Sequence, residues 1–156
     1  MNGAAILTKR PPGTSTSLKE HTMAITLSEQ DQQTLRTAAW GAVSLITAAG
    51  AAGSPHKAAT EASIALTSAT GAVGHVLTKA PKGLYGSKTT AALADQVLPA
   101  LTASMTLLQQ LDAAEADNFR RTVTVAIEAA GHGQKGEPSP TMAEMARKIT
   151  EALDAA

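Results

Sequence analysis

Cysteine is absent from the chain, which excludes a disulfide framework, thiolate catalysis and any zinc or iron–sulfur site ligated by cysteine. Aromatic rings are nearly absent: Trp40, Tyr85 and Phe119 are the only three, so the core must rely on close packing of small aliphatic groups. Net charge is lacking as well. Thirteen basic and thirteen acidic residues balance, and such a field exerts no general attraction on nucleic acid, so no nucleic-acid partner is expected. The most apolar run, Ala38 to Gly53, carries Ser44 and Thr47 and falls short of the roughly 20 residues of a membrane span, so no transmembrane segment is expected. Residues 1–22 offer only Ala4 to Leu7 as an apolar stretch before Lys9, Arg10, Pro11 and Pro12, too little for a signal-peptide core. That segment reads as a disordered tail, with residues 23–156 as a single all-helical domain in the cytoplasm. Met23 directly precedes the first expected helix and is read as a candidate start of translation beside Met1.

What the chain has in quantity is alanine, 33 residues of it, and threonine, 20. From Thr37 to Thr78 the only fixed charges are Lys57 and Glu61, so this stretch is expected to be mostly buried. Within it Ala58, Ala62, Ala65, Ala69, Ala72 and Val76 recur at steps of four and three, the spacing of one helix stripe laid along a neighbour. Leu35, Ala39, Ala42, Ile46 and Ala49 repeat in the same way upstream, so the first two helices are expected to pair antiparallel along a seam of small residues.

The first helix is expected to start at Thr26 or Ser28, each of which has an acidic residue three positions on, in capping-box spacing. Gly50 to Ser54 is the expected turn, and Ser54-Pro55 opens a second helix running to about Lys79. Gly71 and Gly74 inside it each cost about 1 kcal/mol of helix propensity, which implies close backbone approach or a local break. Pro81 stops that helix. A third helix spans about Ser87 to Leu111, burying Leu93, Val97, Leu101, Met105, Leu108 and Leu111, with Pro99 at its middle imposing a kink or a division in two. Asp112 with Glu115 forms a cap for a fourth helix, which buries Ala116, Phe119, Val123, Ile127 and Ala130 and stops at Gly131. A fifth opens near Ser139-Pro140, with Met142, Met145, Ala146, Ile149 and Leu153 on its inner face. Nothing alternates with period two for long enough to give a sheet. The expectation is an all-α, five-helix antiparallel bundle, four helices forming the core and the C-terminal one closing its open side.

Chemistry-bearing constellations are few. No histidine has a second histidine or carboxylate at i+3 or i+4, so no metal site and no cofactor are expected. His75 stands in a stretch almost without charge and is expected to be a core histidine with both ring nitrogens satisfied, or else to line a cleft. Lys79, Lys82 and Lys88 bracket a Gly-Leu-Tyr-Gly loop, and no carboxylate falls between Glu61 and Asp95. Lys82, Tyr85, Ser87, Lys88 and Thr89, with His75, therefore form a candidate anion-binding group where free amides open the third helix. The run is not a phosphate-binding loop of the nucleotide hydrolases, because Ser87 separates Gly86 from Lys88. Arg121 is expected to pair with Asp117 one turn away. No nucleophile or acid–base couple can be nominated. The function expected is that of a non-catalytic interaction or scaffold protein acting as a homodimer through the low-charge faces of its first two helices. Binding of a small anion near 82–89 is the alternative.

Overall fold

The computed structural model describes residues 26–50, 55–81, 89–132 and 140–156; the expected tail over 1–22 lies outside them. Among the described residues the chain is all helical, with six helices and no strand: α1 (Glu29–Ala49), α2 (Pro55–Thr67), α3 (Gly71–Leu77), α4 (Thr90–Leu111), α5 (Ala113–His132) and α6 (Pro140–Asp154). The count is six, where five were expected, because the second expected helix is broken at 68–70.

The break has a local cause. At the end of α2 the hydroxyls of Thr67 and Ser68 both donate to the Ile64 carbonyl, at 3.2 and 2.7 Å, and side-chain donors of this kind compete with continuation of the backbone ladder. Gly71 then takes a left-handed φ of 77°, which a side chain would resist. Gly74 meets the Ala69 carbonyl so closely that a Cβ there would lie 2.2 Å from its oxygen. One glycine supplies the turn and the other the room.

Ser28 wins the competition to cap α1. Its hydroxyl accepts from the Asp31 amide at 3.0 Å, and its own amide donates to the Asp31 carboxylate at 3.3 Å, a complete capping box. Pro99 does not divide the third expected helix. α4 is one helix from Thr90 to Leu111, with Pro99 exposed on its outer side. Its last residue, Leu111, expected in the core, is 43% exposed. A single extended residue, Asp112, joins α4 to α5: its amide closes α4 on the Leu108 carbonyl at 2.7 Å, and its carboxylate accepts from the Ala114 amide at 2.9 Å. α5 runs one residue past the expected stop at Gly131.

The pairing of helices departs from expectation. α2 packs chiefly on α5, and α1 chiefly on α4, while the α1–α2 contact is less extensive. Ala58 and Ala62 of the alanine stripe are fully buried, but Ala65 and Ala69 are only half so. Close approach occurs instead between α1 and α4, where a Cβ on Gly41 would come within 2.3 Å of a Val97 methyl. The core gathers Leu35, Leu45 and Ile46 of α1, Leu66 of α2, Leu101, Met105 and Leu108 of α4, Phe119 and Val123 of α5, and Met142, Ile149 and Leu153 of α6. Among the described residues Phe119 is the one buried ring.

Candidate functional site

Of the six residues singled out by sequence, Lys82, Tyr85, Ser87 and Lys88 lie outside the described residues. Thr89 is described and exposed. It is the N-cap of α4, its hydroxyl accepting from the Ala92 amide at 3.0 Å, so its oxygen serves the helix start. His75 corrects its expectation. It is exposed on α3, not a satisfied core histidine, because the buried positions of this short helix are Ala72, Val73, Gly74, Val76 and Leu77. His56 and Asp95 are exposed as well. Among the described residues no group of three histidine, aspartate or glutamate side chains could hold a metal ion.

The structure gathers polar side chains at a different place, around the two ends of α3. At its N-terminal end the Glu115 carboxylate accepts from the Val73 amide at 3.0 Å, and the Asn118 amide donates to the Thr70 carbonyl at 2.8 Å and to Glu115 at 3.3 Å. Gly71 lies against this group; a Cβ on it would come within 2.8 Å of a Glu115 oxygen. At the C-terminal end Arg36 Nε donates to the Val76 carbonyl at 2.9 Å and Trp40 Nε1 to the Leu77 carbonyl at 3.1 Å. Arg36 is buried, 9% exposed, with a further bond from Nη2 to Gln32 at 3.3 Å. A buried guanidinium is costly unless hydrogen-bonded. Here it faces the negative end of a helix whose last carbonyls lack intrahelical donors.

Sequence reading missed this arrangement. Glu115 was expected to fold back on the cap at Asp112, and it reaches across to another helix instead. Arg36 stands one residue outside the charge-poor stretch, and only its i, i+4 relation to Trp40 hinted that the two share a face.

Charge elsewhere is on the surface. Arg120 of α5 pairs with Asp154 at the end of α6 and donates to the Leu153 carbonyl at 3.3 Å. The expected Asp117–Arg121 pair does not form; both side chains are exposed along a shallow depression on α5, with Thr124, Val125 and Glu128. Its lining carries two carboxylates and two guanidinium groups from one helix, so neither sign prevails. On α6, Arg147 pairs with both Glu144 and Glu151. The hydrogen bond from Arg147 holds the Glu144 carboxyl below its ordinary value of 4.5, and Glu144 in turn raises the Arg147 guanidinium.

One surface stands out for what it lacks. α4 is long and apolar enough to cross a membrane by length and composition, yet only 28% of its most apolar 18-residue window is buried. Asp95 is its sole fixed charge. Its inner positions Val97, Leu101, Ser104, Met105 and Leu108 are in the core, while Ala92, Gln96, Pro99, Ala103, Thr106 and Gln110 face outward at steps of four and three. Comparison of the chain with family models, with curated proteins and with solved structures finds no match in any of the three.

Proposed function

We propose that this chain is a non-catalytic helical interaction protein that acts as a homo-oligomer, its helices forming an antiparallel core that α6 closes. The observation that supports this reading is the outer face of α4: a 22-residue helix with one fixed charge, only 28% of whose most apolar 18-residue window is fully buried. The contact face in this proposal is α4, not the first two helices, because nine residues of α1 are already buried within the subunit.

The outward row suits a second copy laid antiparallel across a twofold axis near Leu101. Pro99 then lies opposite Ala103, Gln96 opposite Thr106 and Ala92 opposite Gln110, each pair setting a small or compact side chain against another or against a longer amide. The two Asp95 carboxylates fall roughly 18 Å apart along the helix axis, beyond the screening distance of about 8 Å at physiological salt. A parallel pair would place them side by side. Such a self-complementary patch is what a twofold interface requires.

Light scattering at tens of micromolar is expected to give about twice the chain mass of 15.8 kDa, and Ala103→Lys, which sets an ammonium at the centre of the face, is expected to return the monomer. A monomeric wild type at that concentration refutes the proposal.

The second reading is a small anion held near 82–89. Thr89, the one described member of that loop group, uses its hydroxyl as a cap, so the reading rests on the lysines and loop amides. Thermal melting and calorimetry with phosphate and sulfate decide it. A rise in melting temperature in the wild type that is lost in Lys82→Ala and Lys88→Ala supports the anion site, and equal behaviour of all three proteins removes it.

A further inference from the structure

Of the six helices, α3 is the one that cannot stand by itself. Its seven residues fall well below the roughly 12 to 15 at which an isolated helix becomes even marginal in water. Two of the seven are glycine, and the chain leaves helical geometry on both sides, over 68–70 and after Leu77. Thr70, at the N-cap, makes no side-chain capping bond.

Apart from the Thr78 hydroxyl, which donates to the His75 carbonyl at 2.8 Å, both ends are closed from outside, each by two side chains one turn apart on another helix. Glu115 and Asn118 of α5 take the Val73 amide and the Thr70 carbonyl. Arg36 and Trp40 of α1 take the Val76 and Leu77 carbonyls. The signs match the helix dipole, with the carboxylate at the amide end and the guanidinium at the carbonyl end. Four side-chain hydrogen bonds thus fasten an element whose buried apolar side chains are Ala72, Val73, Val76 and Leu77.

We infer that α3 is a latched strap, a helix that docks and releases as a unit while the other five stay folded, with Glu115–Asn118 and Arg36–Trp40 as its two latches. A segment too short to keep its own helical bonds, and closed at its ends by side chains of other helices, can open below the global unfolding free energy. Release lengthens the connection between α2 and α4, since seven helical residues span about 10 Å and the same residues extended about 23 Å. It also uncovers the surfaces of α1 and α5 on which the strap lies.

Hydrogen exchange read by mass spectrometry on the full chain tests this. In the wild type the amides of 73–78 are expected to exchange at least about tenfold faster than those in the middle of α1 and α4. Trp40→Phe removes one donor and keeps an aromatic ring, and Asn118→Ala removes another at the opposite end. Each is expected to speed exchange over 73–78 by about five- to tenfold, the loss of one net hydrogen bond, and to leave α1 and α4 unchanged. Arg147→Ala, on the outer side of α6, is expected to leave 73–78 as in the wild type. The proposal is overturned if 73–78 exchange no faster than α1 and α4 in the wild type, or if the latch variants speed all six helices together, because α3 then unfolds only with the whole.

Discussion

Gly41 has no side chain at a point where Val97 leaves no space for one: a Cβ would sit 2.3 Å from one Val97 methyl and 3.0 Å from the other. Val97 is fully buried and β-branched, so its χ1 cannot swing away freely, and relief has to come from moving α1 and α4 apart. Gly41→Ala sets overpacking of about 1–3 kcal/mol against at most about 1 kcal/mol of regained helix propensity. A net loss of about 1–2 kcal/mol in denaturant unfolding is expected, with part of it restored by Val97→Ala in the same chain, since contacting sites couple. A stabilised Gly41→Ala protein would show that the two helices are not locked at this distance. None of this is visible in the sequence, where Gly41 sits beside Ala39 and Ala42 as one more small residue. The same holds for Glu115, whose three-residue spacing from Asp112 fits a local cap and a reach to another helix equally well.

At the scale of elements, legibility followed how far local chemistry alone decides. α6 was readable in its start and its inner face: proline at its first position, and an apolar face on which Met142, Ile149 and Leu153 are buried and Met145 and Ala146 partly so. The start of α1 and the junction at Asp112 were readable from caps for the same reason. The division of the second expected helix was announced by Gly71 and Gly74 but not its form, because a seven-residue helix stabilised from other helices leaves no signature of its own. α6 also carries the clearest electrostatic dependence among the described residues. The hydrogen bond from Arg147 is the main cause of the lowered Glu144 carboxyl; desolvation opposes it, and the charges of Arg147 and Lys148 add to the lowering. A carboxyl lowered in the folded state stabilises above its unfolded value, near 4.5, and loses that contribution as pH falls through the folded value. Arg147→Ala is therefore expected to melt below the wild type at pH 7 in low salt and to converge with it by about pH 3. The difference will be small, because the pair is exposed and screened. A gap that persists at pH 3 would assign the effect to lost packing of the arginine stem instead.

At the scale of the whole molecule, the helical class was plain from composition and periodicity, while the choice of partners was not. Two stripes of small residues in successive helices suggested that those helices meet each other, yet a stripe states only that something packs closely along it. α1 presents Gly41 to α4, and α2 turns mainly to α5. The charge-poor stretch that suggested association is in large part spent on these internal contacts. The outward face with least charge is on α4, where Asp95 is the one fixed charge, a helix that sequence reading valued for Pro99 and its core positions. Association through that face, as proposed, has a thermodynamic consequence apart from mass. If only the folded chain self-associates, dimerisation stabilises the folded state by mass action, so the melting temperature must rise with protein concentration. Melting followed from about 1 to 100 µM is expected to show such a rise in the wild type and none in Ala103→Lys, with the two proteins converging at the dilute end. Lysine at an exposed helical position costs little by itself, since its helix propensity is within a few tenths of a kcal/mol of alanine, so a lower melting temperature at every concentration would mean that Ala103 matters to the fold of the subunit and not to the meeting of two. A melting temperature in the wild type that ignores concentration would leave the outer face of α4 as bare surface and remove the observation on which the interaction reading stands.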